Sequence, residues 1–173
     1  MTSLIIRYAI NFILIIGCQL LIFDNVFFLG YINPYIYLLF LISLPIIKSN
    51  KNLLLIVGFL TGLFIDAFHN SMGLHAFSCV LLMYLKEPIL LSLIPQLKNK
   101  SQNNLTFSIQ EYGIPTATIY TTSLVFIHHF SLFLIEAFRF DLLNVLLRTL
   151  SSSVVTSIVL VIFLILNNKK QLR

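Results

Sequence analysis

Charge is scarce in this sequence. Of 173 residues, 11 are Lys or Arg and 6 are Asp or Glu, 10% in all, where a soluble domain carries roughly 25%. Apolar residues make up 58% and the mean hydropathy is +0.97. A chain of this size buries only about two-thirds of the surface it could expose, so one soluble core cannot absorb so much apolar side chain. A soluble globular domain is excluded, and the high hydropathy excludes a disordered chain as well. Cysteine is nearly absent: Cys18 and Cys79 both lie inside apolar runs, which predicts two buried thiols and no disulfide framework. There is no Trp. The His-Glu-x-x-His and Gly-x-Ser-x-Gly patterns are missing, and no second Asp lies inside an expected span to pair with Asp66. The familiar intramembrane hydrolase chemistries are therefore without their residues, and the expectation is no enzyme activity. What remains is an all-α polytopic membrane protein.

The ionisable residues punctuate the chain. Stretches free of Asp, Glu, Lys and Arg run over 8–23, 25–47, 52–65, 67–85, 112–135 and 149–168. A membrane-crossing helix needs about 20 predominantly apolar residues, and helix ends can run past a boundary charge. The reading is a single integral membrane domain over 1–173. It has six transmembrane helices at about 5–27, 32–47, 53–69, 72–95, 113–137 and 143–166, with a polar loop at about 96–112. Asn33 and Pro34 suit the N-cap and first turn of the second helix, and Tyr31, Tyr35 and Tyr37 suit an interfacial belt. Pro88 predicts a kink or end near 83–87 in the fourth span, with Lys86 and Glu87 snorkelling to headgroups.

Orientation follows from the basic residues. With the N-terminus inside, Arg7, Lys48, Lys51, Lys86, Lys98, Lys100, Lys169, Lys170 and Arg173 fall on the cytoplasmic side, and only Arg139 and Arg148 fall outside. That bias predicts both termini in the cytoplasm. The pI near 9.4 reflects this asymmetry, not a nucleic-acid surface, because no basic cluster sits on a soluble face. Gly17-Cys18 bears a faint likeness to a lipoprotein cleavage site, but the apolar run continues beyond it.

Polar residues inside a membrane mark function by default. Asp66, His69, His75, His128 and His129 are the candidates, with Glu136, Arg139 and Asp141 at the outer end of the fifth span. None has a familiar metal-ligand spacing, and His128 and His129, adjacent on a helix, point about 100° apart. The bland expectation is that each histidine bonds a carbonyl or hydroxyl of a neighbouring helix. Gly58 and Gly62 form a small-xxx-small pair that permits close helix approach. Asp66 closes that helix at the end where the macrodipole disfavours negative charge. It needs compensation, either from amides around Asn70–Gly73 or from Arg139. Ser151, Ser152, Ser153, Thr156 and Ser157 predict a last span packed inside the bundle.

Three features carry a family resemblance. Ile6-Arg7-Tyr8 leads through the first helix to Gly30-Tyr31-Ile32-Asn33-Pro34-Tyr35. The hairpin Gly62-Leu63-Phe64-Ile65-Asp66-Ala67-Phe68 runs on to Ser71-Met72-Gly73-Leu74-His75-Ala76-Phe77. Length and the six-span plan complete the picture. The chain resembles the MreD family of bacterial rod shape-determining membrane proteins, in the form carried by Bacteroidetes. The resemblance implies a non-enzymatic component of the cell-elongation machinery in the cytoplasmic membrane. It would work with MreC and, through it, with MreB, RodA and a class B penicillin-binding transpeptidase in lateral peptidoglycan synthesis. It implies a fold like the substrate-binding subunit of energy-coupling-factor transporters, which supplies the alternative of a small-molecule-binding membrane subunit. No cofactor, metal or catalytic residue is implied. Gly58, Gly62, Asp66, Gly73 and His75 would be the structural or partner-binding motif, with Arg139 a charge partner for Asp66.

Overall fold

The structure, a computed structural model, describes residues 2–25, 32–47, 50–99, 104–105, 107, 109–137 and 141–170. The elements in chain order are α1 (Thr2–Leu21), α2 (Leu38–Ser43), β1 (Ile46–Ile47), α3 (Lys51–His69), α4 (Leu74–Leu93), β2 (Asn104–Leu105), α5 (Ile109–Glu136) and α6 (Leu142–Lys170). Five of the helices, all but α2, are long and apolar enough to cross a membrane. The chain is an all-α, multi-pass membrane protein. Outward faces are apolar, as bilayer contact requires: Leu53, Ile56, Leu60 and Leu63 on α3, and Leu143, Leu147, Leu150, Val154 and Ile158 on α6, are all exposed.

Consecutive long helices pack as antiparallel neighbours, α3 on α4, α4 on α5 and α5 on α6. Two contacts mark the opposite ends of the bundle. At one, His69 at the end of α3 meets Asp24 just beyond α1, with Nε2 to Oδ2 at 2.9 Å. At the other, Lys51 at the start of α3 pairs with Glu87 of α4 at 2.6 Å, and β1 pairs antiparallel with β2, Ile46 opposite Leu105.

The largest departure from the sequence reading is the second span. Residues 32–47 do not form one helix. Asn33, Pro34 and Tyr35 are irregular, α2 has six residues with Tyr37 rather than Asn33 before it, and the chain then extends into β1. Irregular backbone is tolerated at membrane depth only where protein surrounds it, and this segment is enclosed: Tyr37, Leu38 and Leu41 are fully buried. A few of its backbone groups bond within the segment, as Leu39 N does to the Ile36 carbonyl at 2.9 Å, and others are satisfied by side chains of other helices. Tyr35 and Tyr37 therefore lie in the core and not in an interfacial belt, while Tyr31 lies outside the described residues.

Two further expectations change. Helix α4 continues to Leu93 with Pro88 in its interior. Proline's missing N–H costs one helical bond, which neighbouring groups in a membrane bundle can offset. Lys86 does not snorkel. It is 1% exposed, and its Nζ donates to the carbonyls of Leu41, at 2.7 Å, and Leu44. It thus caps the C-terminal end of α2, where the dipole favours a cation. Cys79 is buried as expected, but Cys18 faces outward.

In α5, Gly113 takes φ +80° and ψ +163°. That conformation separates the first helical turn from the membrane-length part that follows, close to the expected start at 113. Ser152, Ser153, Thr156 and Ser157 of α6 are buried against the bundle.

Candidate functional site: a buried polar cluster

The site builds outward from Asp66. Gly62, one turn before it on α3, lies against the first turn of α4 so closely that an added Cβ would sit 2.5 Å from the Ala76 Cα and the His75 carbonyl oxygen. Gly58 faces Met83 and Cys79 one turn further along. The glycine pair is thus spent on the α3–α4 contact inside the chain. That close approach places Asp66 over the free amides at the start of α4. Its Oδ1 accepts from His75 N at 3.0 Å and from the Ser71 hydroxyl, and its Oδ2 accepts from Ala76 N at 2.9 Å. The carboxylate, 4% exposed, meets the positive end of the α4 dipole, which offsets its own position at the negative end of α3. The turn between them uses Asn70 and Met72 at φ +53° and +46°, then Gly73 at +90° before α4 begins. Arg139, the other compensating group expected from the sequence, lies outside the described residues. At that end of the bundle Arg148 pairs with Glu136 at 2.7 Å and covers the Phe133 ring at 4.1 Å.

His75 carries the cluster across to the buried segment. Tyr37 Oη lies 2.8 Å from both His75 Nδ1 and His128 Nε2. One hydroxyl proton cannot serve both, so one ring nitrogen must donate to the Tyr37 oxygen. His128 Nδ1 has no partner among the described residues. A bare acceptor there costs less than a buried N–H, which assigns the His128 proton to Nε2. His128 then donates to Tyr37, and Tyr37 donates to His75. His129 turns the other way: Nδ1 donates to the Val125 carbonyl at 2.9 Å, Nε2 lies 3.4 Å from the Thr156 hydroxyl, and the ring stacks on Tyr35 at 5.0 Å.

The remaining bonds fasten the irregular segment to α1 and α6. Gln19 Oε1 accepts from Ile36 N at 2.6 Å and Tyr37 N at 3.3 Å, while Nε2 donates to the Pro34 carbonyl and to Asp24. Ser152 Oγ accepts from Asn33 N, and Thr156 Oγ1 accepts from Tyr35 N, both at 3.2 Å. One buried segment is therefore bonded to α1, α4, α5 and α6. Of the sequence candidates, Asp66, His75, His128 and His129 are brought together. His69 is tied to Asp24 and touches the cluster through its ring, 5.1 Å from that of His75. Gln19, Tyr37 and Lys86 were missed as members. The available signal for Gln19 was an amide deep in an apolar run; nothing in the sequence marks Tyr37.

Among the described residues no group of three or more His, Cys, Asp and Glu side chains is arranged to hold a metal ion. Comparison of the chain with known protein families, with curated proteins and with solved structures gives no match.

Proposed function

We propose that this chain is a non-enzymatic membrane scaffold of the bacterial cell-elongation machinery, of the MreD kind, acting in the cytoplasmic membrane. In this reading it holds the single membrane helix of MreC beside the wall synthases RodA and a class B penicillin-binding transpeptidase, with MreB joined through MreC. One observation carries the reading. The groups with chemistry to offer, Asp66, Tyr37, His75, His128, His129 and Lys86, are bonded to other parts of the same chain. A catalyst or a ligand-binding subunit needs such groups directed at a substrate; a scaffold needs them to hold helices in fixed relation. The hairpin from Gly62 to Phe77, where the resemblance is most specific, is also where the α3–α4 geometry is set.

The accompanying topology is six crossings with both ends of the chain in the cytoplasm. The sixth crossing is the broken segment 32–47, which begins beside Gln19 and Ser152 and ends at β1 beside Leu105. With that pass counted, α1 starts and α6 ends on one side, together with Lys51 and Lys98, and Arg148 lies on the other. This is the charge distribution the positive-inside rule favours.

The test is affinity purification from native membranes in mild detergent with mass spectrometry of the co-purifying proteins. Recovery of MreC and the wall synthases, with rounding of cells on depletion, is the expected result. Recovery of paired ATPases and a coupling membrane subunit would instead make this a transporter component and overturn the scaffold reading.

A further inference from the structure

At the Lys51 end of the bundle, α3 and α4 part around a cleft of about 470 Å3, within the size range of small-molecule sites. Leu54, Met83 and Leu91 line it, and Lys51 and Glu87 stand at its mouth. This cleft is separate from the polar cluster and has no part in the scaffold reading. Its walls are mostly apolar, with Asn52 and Tyr84 the uncharged polar exceptions, and its rim carries one charge of each sign, 2.6 Å apart.

The rim is not saturated by its own pair. The Lys51 side chain is 62% exposed, and a lysine ammonium has three donors of which this contact uses one. Glu87 is drawn inward, at 16% exposed, and keeps a second carboxylate oxygen. Pro88 adds to the acceptor side, because it brings no N–H to the carbonyl of Tyr84, which also lines the cleft. Two charges at the mouth of an apolar cleft, at the edge of a membrane-crossing helix, are the mirror image of a zwitterionic headgroup over its acyl chains. An anionic headgroup would satisfy Lys51 but confront Glu87 with a second negative charge. A quaternary ammonium has no N–H to donate to Glu87. A primary ammonium can make a charge-assisted bond there.

We propose that this cleft holds one aminophospholipid of the phosphatidylethanolamine type, its phosphate on Lys51, its ammonium on Glu87 and an acyl chain along Leu54, Met83 and Leu91.

The full chain, purified in mild detergent, would be equilibrated with vesicles of equal parts phosphatidylethanolamine, phosphatidylglycerol and phosphatidylcholine, and the retained lipid read by native mass spectrometry. The expected result is one retained phosphatidylethanolamine, favoured about tenfold over each of the others, the ratio one charge-assisted hydrogen bond supplies. Glu87→Gln keeps the shape of the rim and should abolish the preference. Leu91→Trp fills the cleft without touching the ion pair and should abolish retention, while an unchanged elution profile shows that the bundle is intact. Equal or greater retention of phosphatidylglycerol, a headgroup preference that survives Glu87→Gln, or the absence of retained lipid from the wild-type chain would overturn the assignment.

Discussion

Replacing Gly62 by Ala tests the α3–α4 contact and what depends on it. The added methyl would lie 2.5 Å from the Ala76 Cα and the His75 carbonyl oxygen and 2.6 Å from Ala76 N, all backbone atoms. Carbon atoms in contact prefer about 3.5–4.0 Å, so the helices must separate by about 1 Å. Overpacking of this kind costs about 1–3 kcal/mol. The same separation stretches the bonds from His75 N and Ala76 N to Asp66, now 3.0 and 2.9 Å, beyond useful length. Hydrogen bonds to a charged group contribute about 1.5–3 kcal/mol each. Alanine's better helix propensity returns about 1 kcal/mol. The net loss expected is about 3–8 kcal/mol. Two internal controls come from the same helix type. Gly17→Ala adds a methyl with nothing within 4 Å and should be neutral or slightly stabilising. Gly58→Ala meets the flexible Met83 side chain at 2.8 Å and the Cys79 carbonyl oxygen at 3.1 Å, and should fall between. Thermal unfolding in one detergent, followed by size exclusion, would rank the three variants. A Gly62→Ala protein as stable as Gly17→Ala would refute both the close contact and the role given to it.

The same structure makes other outcomes definite. Gln19→Leu leaves Ile36 N, Tyr37 N and the Pro34 carbonyl without their partner; at about 1–3 kcal/mol per orphaned buried group the folded chain should be lost or fully destabilised, as yield and monodispersity after detergent extraction would report. Tyr37→Phe removes the bridge between His75 and His128 and should cost about 1–3 kcal/mol, with a double-mutant cycle against His128→Ala showing strong non-additivity; additive losses would count against the bridge. Asp66→Asn keeps the side chain's shape but gives up the charge and one acceptor atom, so stability to thermal unfolding should fall by about 1–3 kcal/mol, less than for Asp66→Ala. If the proposed scaffold role holds, partners recovered with the wild-type chain should also be recovered with the folded Asp66→Asn protein, which would locate the role of Asp66 in the hairpin and not in assembly. Lys86→Met strips the cap from α2, and hydrogen exchange at 38–47 should rise while the first turn of α4 is unchanged.

Much of this protein follows from local chemistry and is readable from the sequence. Where the chain is apolar for the thickness of a bilayer, a helix satisfies its backbone within the segment and without water, and the spans at 53–69, 72–95, 113–137 and 143–166 correspond to α3, α4, α5 and α6 for that reason. The need of Asp66 for amide donors could be reasoned from its place at a helix C-terminus, because the dipole is a local property. The failure at 32–47 has the opposite cause. Pro45 ends α2 locally, with Leu44 extended before it, but the irregular backbone around α2 is held by groups remote in sequence: Gln19 from α1, Ser152 and Thr156 from α6, Lys86 from α4. The inward turn of Lys86 and the meeting of Tyr37 with His75 and His128 depend on the same event.

The sequence by itself determined that the chain lives in a membrane, where most of its helices run and which residues would be costly to bury, because hydropathy, charge and helix dipoles act over a few residues. Only the tertiary structure decided that those costly residues satisfy one another around a broken, buried segment, because that depends on which helices lie side by side, and hydrogen-bond partners separated by as many as 121 positions are chosen by packing.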